Sequence, residues 1–221
     1  MRHIPFTLCI LLPLLGSLSH AAPATPLPPT TLIVDIQRYL LLYSATGDER
    51  FLERLNTLAP EFEEGIATQK NAATLKDIWG LYLGAVEKVR DAYTSKDIDL
   101  RKAVSEAQEV SALFDSFILE DTETAPQSLA DNLRHLALLK LLQANSELLG
   151  QSQNDDKLNT LSSEIENQLD TLSVCAEEAP QQCETLKRRW QYLRLTGSTG
   201  HLLLYPFNAQ IEYLLSRLPA D

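Results

Sequence analysis

Arg54-Leu55-Asn56-Thr57-Leu58-Ala59-Pro60-Glu61-Phe62-Glu63 returns further along the chain as Lys157-Leu158-Asn159-Thr160-Leu161-Ser162-Ser163-Glu164-Ile165-Glu166, a shift of 103 positions. Two other pairs accompany it. Thr74-Leu75-Lys76-x-x-Trp79 recurs as Thr185-Leu186-Lys187-x-x-Trp190, shifted by 111, and Arg38-Tyr39-Leu40-x-Leu42 recurs as Arg134-His135-Leu136-x-Leu138, shifted by 96. The three pairs keep their order, and the offsets grow as short insertions produce. Sustained apolar/polar alternation rich in Val, Ile and Thr is missing, whereas Leu, Ala, Glu, Gln and Lys favour helix. The expected fold is therefore all-α: a tandem duplication of a four-helix unit, arranged as two up-down bundles or as a short helical array. Repeat periods of about 34 or 40 residues, expected of the common helical repeats, are not apparent.

The first residues bound the compartment. Met1-Arg2-His3 is a short basic start, Ile4 to Leu18 is largely apolar, and Ser19-His20-Ala21 places small residues where a signal peptidase cuts. Residues 1–21 are thus expected to be a secretory signal peptide, making the product periplasmic or secreted. The apolar run is broken by Pro5 and Pro13 and is shorter than the roughly 20 residues of a membrane-spanning helix, so no stable membrane insertion is expected after cleavage. Cys9 lacks the small residues that precede a lipoprotein cysteine. Residues 22–30, with Pro23, Pro26, Pro28 and Pro29, read as a stiff leader. The two units then span 31–125 and 126–221, with Pro126 near the boundary.

The chain carries 30 Asp and Glu against 19 Lys and Arg, and both halves are acidic. Nucleic acid is excluded as a partner, because neutralising its backbone needs clustered positive charge. Export leaves Cys175 and Cys183 in an oxidising compartment, separated by the turn-like Ala176-Glu177-Glu178-Ala179-Pro180-Gln181-Gln182. A disulfide between them is expected, acting as a small clip.

Helical spacing places Leu32, Ile36, Tyr39, Leu40 and Tyr43 on one face of a first helix that stops near Gly47-Asp48, where Asp48 caps the next. Pro60 is expected to kink that second helix or restart it. A third helix covers about 73–93 and a fourth about 98–119. The second unit repeats the plan near 127–149, 154–174, 182–196 and 206–217.

The run Tyr39-Leu40-Leu41-Leu42-Tyr43-Ser44-Ala45-Thr46-Gly47-Asp48-Glu49-Arg50-Phe51-Leu52 resembles the first-helix segment of the extracytoplasmic four-helix-bundle sensor domains of bacterial chemoreceptors and sensor kinases. The likeness covers about fourteen residues of the 221. It implies a detached relative that binds a ligand or a receptor, since no second membrane span, linker helix pair or signalling region accompanies it.

Chemistry is sparsely signalled. After signal removal only His135 and His201 remain, with no H-x-x-x-H or Glu-x-x-His pair, so neither a metal nor another cofactor is expected. No G-x-S-x-G elbow is present, and cysteine pairing would remove the thiolates, so no catalytic residues are assigned and the protein is expected not to be an enzyme. Gly197-Ser198-Thr199-Gly200 reads as a flexible turn rather than a phosphate loop. The residues with ligand-binding potential are the ones both copies keep. Trp79 and Trp190 are either core anchors or aromatic walls of an interhelical pocket. Arg38 and Arg134 either cover apolar surface with their stems or present a guanidinium fork to a carboxylate, on a ligand or on a neighbouring helix. Lys187, Arg188, Arg189 and Arg194 form a basic cluster around Trp190, suited either to balancing nearby acids or to docking an acidic segment. The expected function is a non-enzymatic binding or interaction protein whose partner is an unknown envelope protein; a small-ligand carrier or sensor with an Arg/Trp-lined pocket is the alternative.

Overall fold

The computed structural model describes residues 26–95, 97–118, 127–150, 155–172, 180–196 and 203–218. The expected signal peptide, residues 22–25 of the expected leader, the expected unit boundary at Pro126, Cys175, the Gly197–Gly200 stretch and His201 lie outside the described residues. Among the described residues there are nine helices and no strands.

The first helix, α1 (Pro29–Thr46), starts two residues before the first unit was expected to begin. Pro29 sits at the first helical position, where its fixed φ suits the helix and its missing N–H costs nothing. The end of the expected leader is tied down as well, because the Leu27 N–H donates to Glu61 Oε1 at 2.9 Å. At its other end α1 stops on Gly47, whose φ of 67° lies in the left-handed region and whose N–H returns to the Tyr43 carbonyl at 2.7 Å. Asp48 then caps α2 (Glu49–Ala67), accepting from the Arg50 N–H at 3.1 Å. This helix runs on through Pro60.

Helix α3 (Ala72–Thr94) is followed by α4 (Leu100–Phe117), which starts two residues later than expected because Asp99 caps it, accepting from the N–H groups of Arg101 and Lys102. The expected 127–149 segment divides at Asn145 into α5 (Leu129–Ala144) and the single turn α6 (Ser146–Leu149), which ends on Gly150 at φ 66°. Three helices complete the chain: α7 (Asp155–Thr171), α8 (Pro180–Thr196) and α9 (Leu204–Arg217).

The packing closes two rings. Helix α1 packs on α2, α2 on α3, α3 on α4, and α4 returns to α1; likewise α5 packs on α7, α7 on α8, α8 on α9, and α9 returns to α5. The rings meet where α1 lies against α5 and α4 against α6. The α1–α5 pair runs parallel, since Thr31 meets Asp131 while Asp35 meets Arg134 further along both helices. Their buried apolar residues form one continuous core, from Leu32 through Trp79 to Trp190 and Leu214.

That arrangement corrects one expectation. Helix α1 does not carry a single inward stripe: every residue from Thr31 to Ser44 is buried. It faces α2 and α4 on one side and α5 on the other, and α9 reaches it through side-chain contacts, so no face is left to solvent. The unbroken apolar runs Leu32-Ile33-Val34 and Leu40-Leu41-Leu42 are the sequence counterpart of this burial on all sides.

Gly47 and Gly150 offer a controlled comparison. A Cβ on either residue would be strained by the positive φ, but at Gly47 it would also stand 3.0 Å from Tyr93 Cε1, whereas at Gly150 nothing lies within 4 Å. The Tyr93 hydroxyl donates to the Ser44 carbonyl at 2.6 Å and so closes the end of α1. Gly150→Ala is expected to cost about 1–2 kcal/mol from the left-handed backbone alone. Gly47→Ala should cost more, seen as a lower urea midpoint than that of Gly150→Ala.

Candidate functional site

Arg38 and Arg134 come together on one carboxylate. Asp35, one turn before Arg38 on α1, accepts from Arg38 Nε at 3.0 Å through Oδ1 and from Arg134 Nε at 2.9 Å through Oδ2. The remaining edge of the Arg38 guanidinium faces α9: NH1 donates to Asn208 Oδ1 at 2.6 Å and NH2 to Glu212 Oε1 at 2.8 Å. Tyr39 adds its hydroxyl, which donates to the same Glu212 oxygen at 2.6 Å. Around Arg134, Asp131 stands 3.7 Å from NH1 and also accepts from the Thr31 hydroxyl at 2.9 Å. Three helices are thus tied by a single charged network.

Its burial is the deciding feature. Arg38 is 1% exposed, so its stem does not run along the surface to a head in water. An unpaired charge at such a depth is untenable, and the planar fork finds an acceptor at each nitrogen. Burial pulls the Arg38 pKa down, but attraction to Asp35, Tyr39 and Glu212 outweighs it and the value is raised. Burial pushes Tyr39 well above the ordinary phenol range, against the pull of Arg38, keeping it a neutral donor to Glu212. Burial would raise Glu212 as well, yet Arg38 and the hydrogen bonds from Tyr39 and Arg38 bring its carboxyl below the usual 4.5.

Trp79 and Trp190 are placed elsewhere. Trp79 lies in the first ring among Phe62, Tyr82 and Phe114, with ring centroids 4.7 Å, 5.6 Å and 6.4 Å away. Its indole N–H donates to Glu63 Oε1 at 2.8 Å. Trp190 is equally buried in the second ring, but its N–H has no hydrogen-bond partner among the described residues. Glu166, the residue matching Glu63, is held instead by Arg194 at 2.7 Å. Among the described residues no hydrogen bond or ion pair joins either tryptophan to either arginine. The pocket lined jointly by Arg38, Trp79, Arg134 and Trp190 is therefore not assembled by such contacts.

The basic cluster on α8 is partly balanced by acids on α7; of the nearby acids expected to do so, Glu177 and Glu178 lie outside the described residues, and Glu184 makes no ion pair among them. Lys187 pairs with Asp170 at 2.6 Å and Arg194 with Glu166, both on α7. Arg189 turns the other way, with NH1 donating to Gln210 Oε1 at 3.2 Å and Cζ lying 4.9 Å from the Tyr213 ring centroid. Arg217 approaches the same ring at 5.7 Å. Cys183 is buried on α8, and its expected partner Cys175 lies outside the described residues. His135 Nδ1 is 2.9 Å from the Asp131 carbonyl. No group of three or more potential metal ligands occurs among the described residues. No helix there is long and apolar enough to cross a membrane.

Asp35, Asp131, Asn208 and Glu212 were not singled out from the sequence. The first two carried a signal: each stands three residues before a matched arginine, so the repeat extends backwards to Asp-x-x-Arg. Glu212 and Asn208 have no such mark, because α9 reaches Arg38 only through tertiary packing. Comparison with protein-family models, curated proteins and solved structures gives no match.

Two consequences are measurable. Arg38→Ala leaves buried Asp35 and the inner oxygen of Glu212 short of a cation and should cost about 3–5 kcal/mol in chemical denaturation, with Arg38→Lys recovering little because an ammonium lacks the three-way fork. For Glu212 the folded pKa lies below the unfolded value, so its contribution is present above pH 4.5 and disappears as pH falls through the folded pKa. Glu212→Gln should accordingly flatten the fall in stability below pH 4.5, read from urea midpoints across the acid range.

Proposed function

We propose that this chain is an exported, non-enzymatic helical binding or interaction protein of the bacterial envelope, accessory to a sensory or assembly system. It is built by tandem duplication of a four-helix unit, and it docks an acidic partner on the face formed by α8 and α9. The single observation carrying the docking assignment is the pair of guanidinium groups, Arg189 and Arg217, set on one tyrosine ring in a chain of net charge −11. Arg188 lies exposed on the same helix, and neither it nor Arg217 has an ion pair among the described residues. Arginine and aromatic side chains are the usual anchors of protein interfaces, and complementary charge steers the encounter. The carrier alternative is weakened because its arginines and Trp79 are already engaged internally.

The duplication rests on agreement between sequence pairs and positions. The three repeated stretches fall on α1 and α5, α2 and α7, and α3 and α8. Matched residues share burial: Leu55 with Leu158, Phe62 with Ile165, Leu75 with Leu186, Trp79 with Trp190. Gly47 and Gly150 match as well, each at positive φ with its N–H returned to the matched Tyr43 or Ser146 carbonyl. Between arginine and glycine the second copy has seven extra residues, close to two helical turns, so the insertion preserves the buried face. The export assignment is supported by the first 21 residues and the sensory context by the Tyr39–Leu52 resemblance.

Site-specific photocrosslinking tests the docking face. A benzoylphenylalanine at position 188 is expected to give one reproducible adduct in the envelope fraction, and the same group at position 87 on α3 to give none. The adduct should fade with added salt and with the Arg189→Glu/Arg217→Glu double variant. Equal labelling from positions 87 and 188, or an adduct indifferent to both salt and charge reversal, would reject it.

A further inference from the structure

Between the start of α8 and the end of α9 lies a shallow groove lined by Gln181, Gln182, Thr185, Leu186, Tyr213 and Arg217. No carboxylate lines it among the described residues, in a protein where acids outnumber bases. Its parts have distinct roles. Leu186 is buried and makes the floor, and Tyr213 forms a wall backed by Arg189. Gln182 braces the groove by donating from Nε2 to the Arg217 carbonyl at 2.9 Å, which joins the two helix ends without using the guanidinium. Thr185 donates its hydroxyl proton to the Gln181 carbonyl at 2.8 Å, leaving the hydroxyl lone pairs and the Gln181 amide for other partners. The Arg217 guanidinium is exposed and makes no ion pair among the described residues.

We propose that this groove is the anchoring subsite of the α8–α9 face, and that it receives a carboxylate side chain from an acidic segment of the partner protein. This rests on the docking role argued above and names the chemistry of its anchor. Arg217 offers one planar fork, which matches a planar monoanionic carboxylate in two parallel hydrogen bonds. A phosphate dianion would call for more positive charge than one free guanidinium, since Arg189 is turned onto Gln210. The Gln181 amide adds a neutral donor, and the methylenes of a glutamate side chain fit against Leu186 and the Tyr213 ring.

The test is an amide and guanidinium NMR titration of the isotopically labelled protein with glutarate, and separately with inorganic phosphate and with chloride at matched ionic strength. Saturating shifts at Gln181, Gln182, Thr185 and the Arg217 Nε–H are expected with glutarate alone. Arg217→Ala should weaken that binding by about tenfold or more, as loss of a charge-assisted bidentate pair does. Lys76→Ala, which removes an exposed cation from α3 without lining the groove, should leave it within about twofold, the scale of screened exposed charges. No shift in the groove with glutarate, an equal response to phosphate or chloride, or undiminished binding in Arg217→Ala would overturn the proposal. The two proposals fail separately. Glutarate binding without a charge-dependent crosslink would remove the docking partner, whereas a crosslink that survives with no glutarate response would remove this subsite alone.

Discussion

One guanidinium organises the centre of this molecule. Arg38 is withdrawn from water, and each of its three nitrogens is answered by a different acceptor: Asp35 on its own helix, and Asn208 and Glu212 on α9. Because the charge cannot remain buried without those partners, α9 cannot move away from α1 without exposing or stranding it. Asp35 carries the constraint a step further by accepting from Arg134 on α5. The position of α9 against the first ring, and of α1 against α5, thus depends on a single set of directional contacts. Apolar packing at the same boundary supplies most of the attraction but little orientation, since it is proportional to area rather than to direction.

Helix α1 is the shared wall that makes such a network possible. Surrounded by α2, α4, α5 and side chains of α9, it has burial on every side, and polar groups placed on it must find their partners within the protein. They do so locally where they can: Ser44 returns its hydroxyl to the Leu40 carbonyl at 2.7 Å, and Tyr93 supplies the donor for the Ser44 carbonyl at the helix end. A second tie joins α9 to the α1–α2 turn, where the Tyr205 hydroxyl donates to Asp48 Oδ2 at 2.9 Å and its ring lies 5.8 Å from Phe51. Both rings therefore contribute residues to the same boundary, and α9 belongs by contact to each.

The two matched tryptophan positions show how packing and polar satisfaction separate. Trp79 and Trp190 are almost equally buried. Their indole N–H groups are not treated alike, because the acid that serves Trp79 is, in the second ring, drawn outward by Arg194. The residue matching Arg194 in the first ring is Leu83, which has no charge with which to compete. Burial is nearly the same at both positions, whereas Glu63 accepts from the Trp79 N–H and Glu166 instead sits in a more exposed ion pair with Arg194.

The sequence by itself determined most of the helices and their order, because periodicity, capping residues and helix-stopping glycines act within a few positions, but not the break at Asn145 that divides α5 from α6. Its matched stretches pair α1 with α5, α2 with α7 and α3 with α8, and Asp-x-x-Arg is legible on both α1 and α5 once the match is followed three residues further back. What only the tertiary structure decided is where the arginine charges go. Glu212 and Asn208 are more than 160 residues from Arg38 along the chain, and nothing local distinguishes them from other polar residues on a helix surface. The same limit applies to the α8–α9 groove, whose Gln181, Gln182 and Arg217 meet across a helix pair. Local patterns specify which face of a helix is apolar, whereas the partner of a buried charge is set by the distance between elements after packing, a quantity no short stretch of chain contains.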